Sequence, residues 1–211
     1  MSLPANQTAN SVNAEEQARA NFYALLARLF YAPPEDTFLH SIASSDDDDA
    51  QANDGSDESL AAGSLDSAWS DLVGAAASAD AVSVADEYNE LFVGSGRAEI
   101  SLYVGAYTAR SSVDTNLVAL REFLGSYGIA RQSTVHEPED HVAMLFEVMR
   151  HLISEEQAAI DEQRLFFDRF VRPGAISLCD AISEHDRADF FRHVAAFAKR
   201  FLMVEHDAFE M

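Results

Sequence analysis

Cysteine is almost absent from this chain: its 211 residues include only Cys179, so no internal disulfide can form. Proteins without disulfides are typical of reducing compartments. The first residues contain no basic segment followed by an apolar run, so the sequence predicts no secretion signal. No apolar stretch approaches the ~20 residues that a membrane-spanning helix needs. These absences predict a soluble, cytoplasmic protein.

Basic residues are also scarce: 14 Lys and Arg stand against 36 Asp and Glu, which gives a formal charge of −22. Nucleic-acid binding needs clustered basic residues, so this class of partner is disfavoured, as are acidic membrane surfaces. The electrostatic complement of the chain is a basic peptide or protein segment. The alternative is that the charge only keeps the protein soluble. The 48 % hydrophobic content is enough for a sizeable core.

Several motifs that carry enzymatic chemistry are missing. There is no glycine-flanked nucleophile elbow, and Gly94-Ser95-Gly96 is too short for a phosphate loop and lacks a following lysine. The acidic stretch at 44–58 does not have the spacing of an EF-hand calcium loop. Glu147 and His151 are four residues apart and occur once, whereas di-iron bundles need Glu-x-x-His twice. The sequence therefore predicts no catalytic residue, no metal and no cofactor.

Apolar residues recur at helical spacing along most of the chain, and two-residue alternation between turn signals is missing. The first such helix is predicted from Glu15 to the Pro33-Pro34 pair. Another, rich in phenylalanine, is predicted to stop at Pro173. The prediction is an all-α fold of about nine to ten helices in a single domain. Its parts are a flexible N-terminus at 1–14, the helical domain at 15–205 with an acidic disordered loop at 44–58, and a tail at 206–211.

The segment from His136 to Met149 reads as a helix that starts at Pro138, because proline suits a first helical turn. His141 then heads an apolar stripe that includes Leu145, and Asp140 heads a mixed stripe beside it. Such a polar pair can serve catalysis, metal binding, recognition of a cationic partner, or only the helix start.

A second segment, from Asp86 to Gly94, reads as the end of a helix with acids on one side and apolar side chains on the other. By itself it is an ordinary amphipathic helix. Together with the Asp140 segment it predicts an apolar groove with carboxylates on its rim, which suits a peptide that is half hydrophobic and half basic. The predicted partner-binding residues are Asp140, His141, Glu137, Glu90, Tyr88, Leu91, Phe92, Gly94 and Leu145.

These two segments, in this order and at this distance, resemble the TorD/DmsD/NarJ family of cytoplasmic chaperones, which assemble molybdenum enzymes. The matching stretches are Glu87 to Gly94, Glu137 to His141, and Gln163 to Pro173. The resemblance extends over residues 15–205. The chain departs from the family pattern at Gly174, where the family often has tryptophan after the proline.

The resemblance implies a helical fold, sometimes seen as a domain-swapped dimer, and no catalytic turnover. It implies that the chain holds the catalytic subunit of a molybdopterin-dependent oxidoreductase until the cofactor is inserted, as a monomer or homodimer. Many members also bind that subunit's twin-arginine signal peptide. By likeness, Asp140 and His141 match positions of peptide recognition, and four residues match positions that shape the pocket: Tyr88, Leu91, Phe92 and Gly94.

Two other functions remain open from the residues. One is a generic helical adaptor with no specificity for a leader peptide. The other is a nucleotide-binding or metal-binding protein that uses Asp140 and His141.

Overall fold

The computed structural model describes residues 6–45, 64–108, 113–129 and 139–211, with no side-chain detail at 6–13 and 113–115. Its regular elements are helices, which confirms the all-α prediction for these ranges. No helix in them has the length and apolar character needed to cross a bilayer. The α-helices are α1 Asn6–Tyr31, α2 Asp36–Ala43, α3 Leu65–Ser78, α4 Ala81–Tyr88, α5 Val113–Ser126, α6 Val142–Ser154, α7 Ile160–Phe166, α8 Arg172–Ser183 and α9 Phe190–Phe209.

Three further helical segments complete the fold. A π-helix, π1, covers Asn89–Val93 and continues α4 without a break. A short 3-10 helix covers Val104–Tyr107. A second π-helix, π2, covers Phe167–Val171 and joins α7 to α8. A π-helix has a wider turn than an α-helix, so each one changes which side chains face the core.

Side-chain caps fix where several helices begin. The Ser64 hydroxyl accepts a hydrogen bond from the Ser67 amide at the start of α3. At the start of α4 the Asp80 carboxylate accepts one from the Ser83 amide, 2.9 Å away, and a second from the Ser83 hydroxyl. These bonds lower the pKa of the Asp80 carboxyl.

Helix α1 lies at the centre of the aromatic core, with α6 along its length and α9 at its side. Its Tyr23 ring contacts Phe146 of α6 at 5.9 Å and Phe201 of α9 at 4.8 Å between centroids. Phe30, about two turns further along the same face of α1, also contacts Phe146, at 6.1 Å. Edge-to-face and tilted contacts of this kind add to the stabilisation from burial.

A buried polar cluster also joins α1 to α9. The Glu205 carboxylate accepts hydrogen bonds from both Nε and Nη2 of Arg19, at 2.7 and 2.9 Å, and from the Tyr23 hydroxyl at 3.0 Å. Arg19 also donates to Gln163 of α7. Burial and the neighbouring Glu205 charge raise the pKa of Tyr23 well above its usual value. Sequence periodicity does not reveal this cluster. Its members lie on helix faces that the periodicity assigns to the apolar core, so a polar contact between them is not expected.

The first and last helices extend beyond the bounds predicted for the helical domain. α1 begins at Asn6 and not at Glu15, so part of the predicted flexible N-terminus is helical. Once a helix has nucleated, each further residue adds one backbone hydrogen bond, so extending the helix costs little free energy. α9 continues to Phe209, within the predicted tail, because the Phe209 ring packs against Phe167 at 5.3 Å. Residues 46–63, which include most of the predicted acidic loop, lie outside the described residues.

The prediction that the phenylalanine-rich helix stops at Pro173 is also wrong. The chain stays helical from Ile160 to Ser183, through π2 and into α8. Pro173 lies in the first turn of α8. Because the π-turn shifts the hydrogen-bond register just before it, the proline is at a helix start, where its missing N–H is tolerated.

The N-terminus of α9 is capped by a residue from another helix. Both carboxylate oxygens of Glu87, at the end of α4, accept hydrogen bonds from the backbone amides of Asp189, Phe190 and Phe191, at 2.9 to 3.0 Å. Three amides that have no partner inside α9 are thereby satisfied, and the carboxylate lies at the positive end of the helix dipole.

We expect Glu87→Ala to lower the free energy of unfolding by about 1–2 kcal/mol, because the amides at the start of α9 lose their acceptor. The matched control is Asp86→Ala, one residue earlier, whose side chain is exposed. Urea titration followed by circular dichroism measures both. Equal losses in the two variants would show that Glu87 is not a cap that α9 needs.

The buried cluster predicts a different pattern. Glu205→Met leaves the Arg19 guanidinium buried without its counter-ion, so we expect a loss of about 3 kcal/mol in unfolding free energy. The double variant Arg19→Met/Glu205→Met removes both charges and should lose less than Glu205→Met alone. If the double variant loses the sum of the two single losses, the pair does not act as a unit.

Candidate functional site

Asp140 lies in a turn and His141 in extended backbone, and both pair with residues 97–108, here called the connector, which follow π1. The Val104 amide donates to the Asp140 carbonyl at 3.0 Å, and the Val142 amide donates to the Leu102 carbonyl at 2.9 Å. Tyr103 and His141 face each other in this antiparallel bridge. Their rings make an edge-to-face contact with centroids 5.3 Å apart.

The helix predicted to start at Pro138 begins instead at Val142, with His141 as its N-cap. The Nδ1 atom of His141 accepts a hydrogen bond from the Ala143 amide at 3.3 Å, which requires that nitrogen to be unprotonated. The prediction is wrong because pairing with Tyr103 of the connector holds His141 in extended backbone. Pro138 and the predicted site residue Glu137 lie outside the described residues.

Glu139, just before this bridge, is held by an arginine. Both nitrogens Nε and Nη2 of Arg121 on α5 donate to its carboxylate, at 3.0 and 2.9 Å. This bidentate pair ties α5 to the turn that leads into α6. Its role is therefore structural.

The Asp140 carboxylate points at the connector. Its Oδ2 accepts a hydrogen bond from the Gly105 amide at 3.1 Å. It lines a small cavity, here called the Asp140 pocket, together with Arg169 and apolar side chains that include Leu145 and Phe170. The cavity volume of about 30 Å³ has room for one or two water molecules and not for a peptide side chain.

The apolar residues of the second motif are in the core. Tyr88 is 6 %, Leu91 0 % and Phe92 8 % exposed. The Tyr88 hydroxyl donates to the Phe30 carbonyl at 3.2 Å, and the Phe92 ring contacts Phe191 at 5.1 Å. The prediction that these three side chains line an open groove is wrong, because they fill the space between α1 and α9.

Gly94 has a backbone role. Its φ of 64° is in the left-handed region, and its amide closes π1 by donating to the Asn89 carbonyl at 2.8 Å. A Cβ atom at this position would lie 2.2 Å from the Arg97 carbonyl oxygen. Only glycine allows the chain to turn back here towards the connector.

Glu90 faces the other way, into a second and larger concavity. The acidic pocket, as we name it, has a volume of about 620 Å³ and lies between α3, α4 and the start of α9. Glu90 has a 58 % exposed side chain, and its carboxylate lies 3.7 Å from the Arg187 guanidinium. The carboxylates that line the pocket are those of Asp80, Asp86, Glu87, Glu90 and Asp189. The pocket is also lined by His193 and by Arg187, which pairs with Glu99 at 2.7 Å as well.

The two motifs therefore meet in the core and not in one groove. Phe92 and Phe146 both contact the Phe30 ring, at 6.5 and 6.1 Å. Leu145, 1 % exposed, lines the Asp140 pocket, whereas Glu90 lines the acidic pocket. The single groove that the sequence predicts is replaced by two concavities.

Each π-helix contributes to one of these concavities. π1 supplies Glu90 to the acidic pocket, and π2 supplies Arg169 and Phe170 to the Asp140 pocket. π-turns inside α-helices are frequent at functional sites. Sequence reasoning missed both, because a pattern with a period of 3.6 does not reveal one extra residue in a turn.

In the part of the chain that the structure describes, no three or more His, Cys, Asp or Glu side chains are grouped so as to hold a metal ion. Glu147 pairs with Arg150 at 2.8 Å, and His151 lies 3.0 Å from the Glu155 carboxylate. Cys179 is buried, which raises the pKa of its thiol to about 12.

A family model described as "Nitrate reductase delta subunit" matches residues 57–202, a range that contains all three stretches of the resemblance. A similar curated protein is the chaperone protein TorD of Vibrio cholerae serotype O1. It is 27 % identical over 127 residues, which are 60 % of this chain and 52 % of that protein. The chain thus matches about half the length of this relative.

Gly174 offers a test of how the Asp140 pocket is held closed. A Cβ atom there would lie 2.5 Å from the carbonyl oxygen of Val104 and 2.6 Å from its Cβ, so even a methyl group does not fit. We expect Gly174→Ala to displace the 3-10 helix that carries Gly105 and to cost about 1–3 kcal/mol of unfolding free energy.

The control is Gly74→Ala, on α3, where a Cβ atom would meet no other atom within 4 Å. It should stabilise the protein by about 0.5–1 kcal/mol through helix propensity. Thermal or urea unfolding compares the two, and equal stability would show that the approach of α8 to the connector is not close.

Proposed function

This chain belongs to the nitrate reductase delta subunit family, and on that premise we propose that it is a chaperone for the maturation of a molybdenum-cofactor oxidoreductase. In this proposal it binds the apo catalytic subunit and its twin-arginine leader in the cytoplasm. Binding supports cofactor insertion and prevents premature export. The observation that carries the proposal is the family match over 57–202, which includes both sequence motifs. The name of the Vibrio cholerae relative agrees with it.

The proposed activity is binding without catalysis. A chaperone of this kind contributes by occupying the leader and holding the subunit, which requires complementary surfaces and no reacting group. The described residues supply such a surface in the acidic pocket, which combines carboxylates with the apolar side chains of Val84 and Phe190. The net charge of −22 adds long-range attraction for a basic partner.

We propose that the leader's arginines bind in the acidic pocket. A guanidinium pairs well with carboxylates because it presents parallel N–H donors. The pocket has room for side chains, and Glu90 is exposed in it. Glu87 already accepts three backbone amides of α9, and Asp80 already caps α4, so Glu90 and Asp86 are the acceptors that this proposal assigns to the leader.

For Asp140 and His141 we propose a positioning role. Both hold the connector against α6, one by accepting from the Gly105 amide and the other by forming the bridge with Tyr103. A peptide that reached the Asp140 carboxylate would have to displace Gly105 and enlarge a cavity of about 30 Å³. Their effect on peptide binding is therefore transmitted through the connector.

The test is calorimetry of the full chain with a synthetic peptide that carries two adjacent arginines followed by an apolar segment. We expect Glu90→Lys to weaken binding roughly tenfold, which corresponds to about 1.4 kcal/mol. The control is Glu122→Lys, on α5, which makes the same charge change at an exposed position outside the acidic pocket. Because the attraction is electrostatic, the affinity of the unmodified chain should fall as salt is added.

Equal affinity of Glu90→Lys and the unmodified chain would contradict the placement of the arginines. Equal binding of a peptide in which glutamines replace both arginines would contradict the leader specificity itself and favour a generic adaptor.

A further inference from the structure

A third concavity lies on a different face, between α1, the start of α7 and the end of α9. It has a volume of about 340 Å³, and we name it the α1–α9 groove. Its lining includes the aromatic side chains of Phe22, Phe201 and Phe209. At its rim, Ile160 is 55 % and Val204 47 % exposed. Exposed apolar residues that border a concavity with polar edges are typical of protein-interaction surfaces.

The charges around the groove favour one sign of partner. The groove is lined by two acids, Glu15 and Glu205, and by one cation, Arg19, so the net charge of its lining is −1. The Arg19 charge is neutralised by its bidentate pair with the buried Glu205 carboxylate. Glu15, by contrast, is exposed. A basic group on a bound partner therefore has a carboxylate available at the edge of the apolar floor.

The same charges disfavour other occupants. A second copy of the chain would bring another formal charge of −22 to an acidic surface. A fatty acid would place its carboxylate in the field of Glu15. An amphipathic helix satisfies both features, because apolar side chains at positions i and i+4 enter the groove while a basic residue on the same helix reaches the rim.

We propose that the α1–α9 groove is a docking surface for an amphipathic helical segment that carries basic residues, separate from the acidic pocket. If the proposed chaperone function holds, this segment belongs to the mature part of the client subunit; the docking chemistry itself does not depend on that identity. Two separate surfaces on one chain would hold one client at two points, so the second contact forms at a high effective concentration.

The probe is a fluorescently labelled helical peptide of leucine and lysine with its leucines on one face, titrated with the full chain and followed by anisotropy. A peptide of the same composition with its leucines scattered is the probe control. We expect Ile160→Ser/Val204→Ser to weaken binding of the amphipathic peptide at least tenfold. Val118→Ser changes a valine that is 53 % exposed on α5, and it should have no effect. Glu15→Lys should also weaken binding.

Equal binding of the amphipathic and scattered peptides, or unchanged binding by the double serine variant, would overturn the proposal. A dimer that the double variant dissociates in sedimentation would also overturn it, because the occupant would be a second copy. The twin-arginine peptide separates this proposal from the previous one. If it fails to bind while the amphipathic peptide binds the groove, the leader function falls and the groove stands; the reverse result removes only the groove.

Discussion

The arrangement of the site depends on one short stretch of backbone pairing. The connector after π1 donates from Ile100 to the Leu91 carbonyl, and further along it pairs with the Asp140 segment at the start of α6. Motifs that are about fifty residues apart in the sequence are thereby fixed next to each other. The pairing also decides what each motif can do, because it turns the Asp140 carboxylate inwards, to Gly105, while Glu90 on the other side of π1 stays exposed.

Because basic residues are scarce, the surface of the protein is acidic. Several of the 14 basic residues are paired within the fold, among them Arg19 with Glu205, Arg121 with Glu139 and Lys199 with Asp180. The acids exceed the cations by 22, so carboxylates remain on the surface after these pairs are made. The acidic pocket and the rim of the α1–α9 groove are two places where such carboxylates border apolar side chains. Both proposals therefore assign the chain partners that are basic and partly apolar.

Structural features that depend on the local sequence pattern are predicted correctly from the sequence. Apolar spacing predicts the all-α class, and Gly94 is correctly predicted to end its helix because a left-handed residue favours glycine. Patterns do not reveal contacts between distant segments. Glu87 caps a helix a hundred residues later, and the extended backbone at His141 exists only because Tyr103 pairs with it. The single predicted groove is wrong for the same reason, since an apolar stripe does not show whether another helix covers it.

In the proposed complex the leader peptide binds in the acidic pocket, and the Asp140 segment contributes only by positioning the connector. Hydrogen exchange of the full chain, with and without a twin-arginine peptide, measures where the backbone becomes protected. The account predicts new protection at α4, π1 and the start of α9, around residues 81–93 and 187–193. Protection confined to 139–149, with none around Glu90, would contradict it.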